Sequence, residues 1–113
     1  MGELIFALAA AGEGEEERPD PANVIAGDPV HTSWIAEDAD GLMAGIWQST
    51  PGTWRVAYEE WEYVRILEGR LVITPEGGAP FTVTAGDSFV IRPGFRGIWE
   101  VQETVRKDFV LHV

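Results

Sequence analysis

The sequence predicts an all-β sandwich or barrel in a single domain. Strand-favouring Val, Ile, Thr, Phe, Tyr and Trp recur throughout residues 30–113. Short runs of them are cut by turn residues at roughly 8–12-residue intervals, the rhythm of sandwiches and barrels. No sustained helical periodicity follows residue 12. A chain of 113 residues is one domain and long enough to bury a core.

Residues 4–12 (LIFALAAAG) are apolar and are expected to form a buried strand or short helix. The run is too short to span a bilayer. Glu3 stands where a secretory signal carries positive charge. Residues 13–23 (EGEEERPDPAN) combine like charge with proline and read as a solvated loop. Residues 1–25 are therefore set apart as an apolar segment with an acidic linker, and residues 26–113 as the barrel. The apolar segment packs either on its own barrel or on a neighbouring subunit; the sequence allows both.

Within the barrel, the turn 38–41 (DADG) leads into a strand over 42–49. Pro51 and Gly52 form the next turn. Strands are then expected over 54–60, 61–67, 70–75, 80–85, 87–91, 97–103 and 106–113, with breaks that include 68–70 (EGR) and 103–105 (ETV). Alternation assigns faces: if Glu62 points inward, so do Val64 and Ile66. Lys107, Phe109 and Leu111 share one face of the last strand, and Arg106, Asp108 and His112 the other.

The net charge of −11 argues against nucleic acid and anionic membrane as partners. The absence of cysteine excludes disulfide and thiolate chemistry, and fits the cytoplasmic location expected here. No Walker loop, dinucleotide fingerprint or nucleophile-elbow motif is present.

Two segments carry a family resemblance. In GIWQSTPGTWRVAYEEWEYVRILEGRL, Glu62 is followed by six residues and then Gly69. Seventeen residues after Gly69, at Gly86, begins GDSFVIRPGFRGIWEV. In order and at this separation they resemble the small single-domain cupins grouped with the cupin domain of (S)-ureidoglycine aminohydrolase, over most of the chain. The resemblance implies a double-stranded β-helix, the jelly-roll barrel, usually as a homodimer.

In the metal-bearing members, two histidines precede the glutamate and a third follows the second glycine-rich turn. Counting back from Glu62, those positions hold Arg55 and Ala57, or Val56 and Tyr58; the third holds Gly97. Only Glu62 is kept. His31 and His112 lie away from the motif positions. A lone carboxylate cannot hold a divalent metal, so no metal and no cofactor is expected.

Glu62 is the foremost candidate for acid–base or ligand-charge work, with Lys107 and Arg55 as its candidate cations. Tyr58, Trp47, Trp54 and Trp99 are expected to line the barrel mouth, where aromatics stack on flat ligands or cations. The competing reading is a structural ion pair surrounded by ordinary core aromatics. The expected function is binding or transforming a small polar metabolite bearing an amine or a carboxylate. The alternatives are a non-catalytic interaction module whose barrel is filled by Trp99, Phe109 and a Glu62–Lys107 pair, or a metal-dependent aminohydrolase. Metal-free sugar epimerases of the same fold rely on a histidine base, and the sequence places neither histidine in the pocket.

Overall fold

A computed structural model of the chain describes residues 4–113; the first three residues of the N-terminal segment lie outside it. Nine strands form one curled sheet: β1 (Glu15–Glu17), β2 (Val24–Gly27), β3 (His31–Ala39), β4 (Leu42–Ser49), β5 (Gly52–Ala57), β6 (Trp61–Pro75), β7 (Phe81–Thr84), β8 (Ser88–Ile91) and β9 (Arg96–His112). All the strand pairings are antiparallel.

The two long strands organise the fold. The first half of β6 and the last half of β9 pair with each other and carry β8 on one side, β4 and β3 on the other. The last half of β6 and the first half of β9 pair with each other and carry β7 on one side, β5 and β2 on the other. The sheet folds back on itself where both strands bend. Buried Trp54, Val64, Ile66, Leu71, Ile73 and Trp99 from the two halves meet in one core. This is the all-β barrel expected from the strand rhythm.

Three local expectations are corrected. Residues 68–70 and 103–105 do not end strands, because β6 and β9 run through them with register shifts between Ile66 and Leu71. The glycine in EGR marks a bend rather than a stop. Gly69 has φ +94°, and a Cβ there would run into the Thr104 carbonyl and Val105 of the paired strand. Second, the acidic stretch is not all loop: Glu15–Glu17 pair with His31–Ser33 at the sheet edge. An edge strand keeps its side chains in water, so backbone pairing there costs no carboxylate desolvation. Third, the apolar segment is neither helix nor strand and is not buried; Leu4 and Ile5 are 102% and 81% exposed. A bond from the Trp34 indole to the Gly12 carbonyl (3.0 Å) tethers the end of that segment to β3. No helix among the described residues is long and apolar enough to cross a membrane.

Candidate functional site

Strand alternation and register bring one set of side chains together inside the barrel. On β6, Glu62, Val64 and Ile66 all point inward and are buried, as do Lys107 and Phe109 on β9. Trp47 on β4 stands opposite Lys107, and Trp54 on β5 opposite Trp99. Cross-strand partners share a face, so both tryptophan pairs face the interior with Glu62.

The centre is a buried ion pair. Lys107 Nζ donates to Glu62 Oε2 at 2.8 Å, with the two residues 5% and 2% exposed. The Tyr58 hydroxyl donates to the other oxygen, Oε1, at 2.7 Å. Burial first, then the Glu62 charge, pushes the Tyr58 phenol well above its usual range, so it remains a protonated donor. The Lys107 ammonium also lies 4.7 Å from the Trp47 ring centroid, 4.9 Å from Trp99 and 5.5 Å from Phe109. A desolvated ammonium over aromatic faces is held by their quadrupoles. The cation of this barrel is thus caged by one carboxylate and three rings.

His31 joins this group, which the sequence did not foresee. It is 7% exposed and packs between Trp47 and Trp54, with ring centroids 4.8 and 4.7 Å away. Burial, followed by the charge of Lys107, lowers its pKa to about 4, so it is neutral at pH 7. The sequence set His31 aside because it lies before the motif segments, and a bulge between Ile35 and Glu37 fixes its face. An unbroken hairpin would have set His31 one residue out of register and faced it outward; the bulge pairs it with Ser49 and turns it in. His112, by contrast, is exposed at the end of β9.

Arg55 is not brought to this site. Trp54 and Val56 on either side of it face inward, so Arg55 faces out and is exposed. Its proposed role as a cation for Glu62 falls to Lys107 alone. Glu62, Lys107, Tyr58, Trp47 and Trp99 do converge, around a cavity of about 300 Å³ that His31 also lines. Two buried polar atoms of that lining, His31 Nε2 and Trp99 Nε1, have no hydrogen-bond partner among the described residues.

The donor set does not fit a divalent metal. Among the described residues, no three His, Cys, Asp or Glu side chains come together. Of the two carboxylates lining the cavity, Glu62 already has both oxygens engaged and Glu17 stands on the exposed edge strand β1. At Gly97, the third-histidine position, a Cβ would meet the Thr74 carbonyl at 2.5 Å and the Phe95 ring at 2.9 Å, so a larger side chain has no room there.

Comparison with known proteins agrees with this architecture. The family model for the EutQ-like cupin domain matches residues 36–109. A crystal structure of a DUF861-family protein of unknown function from Pseudomonas syringae pv. tomato is similar, with TM-score 0.80 and 28% identity. That match covers 92% of this chain and 46% of the other, so this chain spans about half the length of that protein. The EutQ protein of Clostridium difficile is similar at TM-score 0.66 and 17% identity, covering 74% of this chain and 63% of that one. The ethanolamine utilization protein Q of Salmonella typhimurium is similar at TM-score 0.64 and 21% identity, covering 89% and 98%. At these identities the two EutQ likenesses bear on the fold alone. No curated protein matches the sequence.

Proposed function

The chain belongs to the EutQ-like cupin domain family, and within that fold we propose that it binds a small carboxylate-bearing metabolite in the barrel interior without a metal. The observation that carries this reading is a cavity lined by Lys107, His31 and Trp99, two of whose buried polar atoms, His31 Nε2 and Trp99 Nε1, have no hydrogen-bond partner among the described residues. Buried polar atoms are nearly always paired, and an unpaired set lining one cavity is what a polar ligand satisfies. The chemistry favours an acceptor ligand. Both Glu62 oxygens are taken, while the Trp99 indole N–H and the remaining Lys107 N–H groups are donors. The tryptophan rings supply flat apolar walls for the rest of the molecule.

The roles follow from position. Lys107 supplies the charge for a ligand carboxylate, and Glu62 with Tyr58 holds that ammonium in place. Neutral His31 accepts a hydrogen bond from the ligand at Nε2 in one tautomer and donates one there in the other. Ethanolamine, which the name of the Salmonella protein mentions, carries an ammonium, and in this barrel the place beside Glu62 and the aromatic rings is filled by the Lys107 ammonium. Hydrolysis of the metal-dependent aminohydrolase kind lacks its ligand set here. One observation favours a second reading, a filled and non-catalytic barrel: Lys107 is already satisfied by Glu62 and the three rings.

A thermal-shift screen of small mono- and dicarboxylic acids, followed by calorimetry on wild type and Lys107→Met, tests the proposal. At least one acid is expected to stabilise the protein, and Lys107→Met to weaken its binding tenfold or more. If no acid binds, the filled-barrel reading stands instead.

A further inference from the structure

A second cavity, of about 380 Å³, lies outside the barrel where β5, β6 and β9 run side by side. Arg55 and Arg96 both line it. Arg55 stands opposite Ile98 and Ala57 opposite Arg96, so the two arginines are diagonal neighbours on one face. Diagonal positions on adjacent strands are about 7–8 Å apart, near enough for two guanidinium groups to close on one small molecule. Ala57 and Gly97 keep the floor between them low, and Thr74 and Asn23 add short polar groups to the lining.

The charge pattern makes this place unusual. The chain has 8 Lys and Arg against 19 Asp and Glu. Most of the eight are engaged: Arg18 with Asp28, Arg65 with Asp108, Arg70 with Gln102, Arg106 with Gln48, and Lys107 with Glu62. Among the described residues only Arg55, Arg92 and Arg96 make no ion pair or side-chain hydrogen bond. Two of these three line the same cavity. On so acidic a protein, with carboxylates to spare, two arginines left without partners on one cavity form a site for a charge the protein does not itself provide. Glu76, also in the lining, is within ion-pair distance of neither.

We propose that Arg55 and Arg96 clamp a small dianion, a dicarboxylate or a phosphate-bearing molecule, at this outer cavity. The guanidinium fork matches carboxylate and phosphate oxygens in pairs, which gives such a clamp geometric selectivity over a point charge. The site is distinct from the interior one, since Arg55 faces away from Glu62, and it stands whether or not the barrel binds a metabolite.

Calorimetry at low ionic strength with inorganic phosphate and with succinate tests it, on wild type and on Arg55→Gln, Arg96→Gln and Arg92→Gln. The first two variants are each expected to weaken binding tenfold or more. Arg92→Gln removes the same charge elsewhere and is expected to change binding less than twofold. Both clamp residues are exposed, so the folds should be preserved, which circular dichroism checks. Binding of phosphate alone assigns a phosphate-bearing ligand, and binding of succinate alone a dicarboxylate. Binding of neither, or equal weakening by Arg92→Gln, overturns the proposal. So does wild-type self-association in sedimentation that Arg55→Gln abolishes, since the face would then be an interface between copies.

Discussion

Breaking the interior ion pair from either side should give unequal costs. Lys107→Met leaves the Glu62 carboxylate 2% exposed and with a single partner, the Tyr58 hydroxyl at 2.7 Å. Stranding one member of a buried pair costs about 3–5 kcal/mol. Glu62→Gln strands Lys107 less severely, because the ammonium keeps the faces of Trp47, Trp99 and Phe109. A desolvated cation–π contact contributes about 2 kcal/mol, and the glutamine carbonyl still accepts a bond, so this variant should cost only about 1–3 kcal/mol. The double variant removes both charges and should cost less than the sum of the singles by about 2 kcal/mol. Urea unfolding followed by tryptophan fluorescence reads all four proteins, since Trp54 and Trp99 are in the core. Additive costs, or a Glu62→Gln variant less stable than Lys107→Met, would refute the caged-ammonium account.

Other consequences can be measured independently. His31 is neutral when folded, with a pKa of about 4 against 6.5 in the unfolded chain. Protons therefore favour the unfolded state, and its contribution to stability is present above pH 6.5 and lost as pH falls toward 4. At about 1.4 kcal/mol per unit that loss totals about 3 kcal/mol, and it should appear as a pH-dependent difference between wild type and His31→Phe across that range, since the variant lacks the titrating ring. His31→Phe should also equal or exceed wild-type stability at pH 7, since it removes an unpaired buried nitrogen; a loss above about 2 kcal/mol would mean that Nε2 has a partner. Gly69→Ala should destabilise by several times more than Gly86→Ala in denaturant unfolding. Both glycines have positive φ, +94° and +96°, but only at Gly69 does a Cβ strike the neighbouring strand. Equal costs would locate the penalty in the dihedral alone.

Much of the site was legible because strand alternation is a strict rule. Once Glu62 was set inward, Val64 and Ile66 followed, and so did Lys107, Phe109 and Leu111 on the last strand. The same rule carries Arg55 outward between Trp54 and Val56, and grouping it with Glu62 ignored that alternation. His31 was passed over because it lies before the motif segments, and its inward face depends on a bulge that no composition or spacing announces. The long strand β6 reads as two strands because a glycine bend and a turn look alike in sequence, and β9 reads as two because the polar residues at 103 and 104 look like a break. Glu15–Glu17 read as loop because charge signals exposure, and an edge strand is exposed as well. Residues 4–12 were expected to be a buried strand or short helix because they are apolar; within one chain they find no surface to bury against, which leaves the neighbouring-subunit alternative.

The measurement that bears most directly on the account is metal content per chain, by elemental analysis on tag-free protein purified without chelator. A barrel whose cation is the Lys107 ammonium should carry close to none, and should gain none on incubation with zinc, manganese, iron or nickel. One tightly held metal per chain would contradict the account, because the Lys107 ammonium already neutralises Glu62 and, among the described residues, no three His, Cys, Asp or Glu side chains come together.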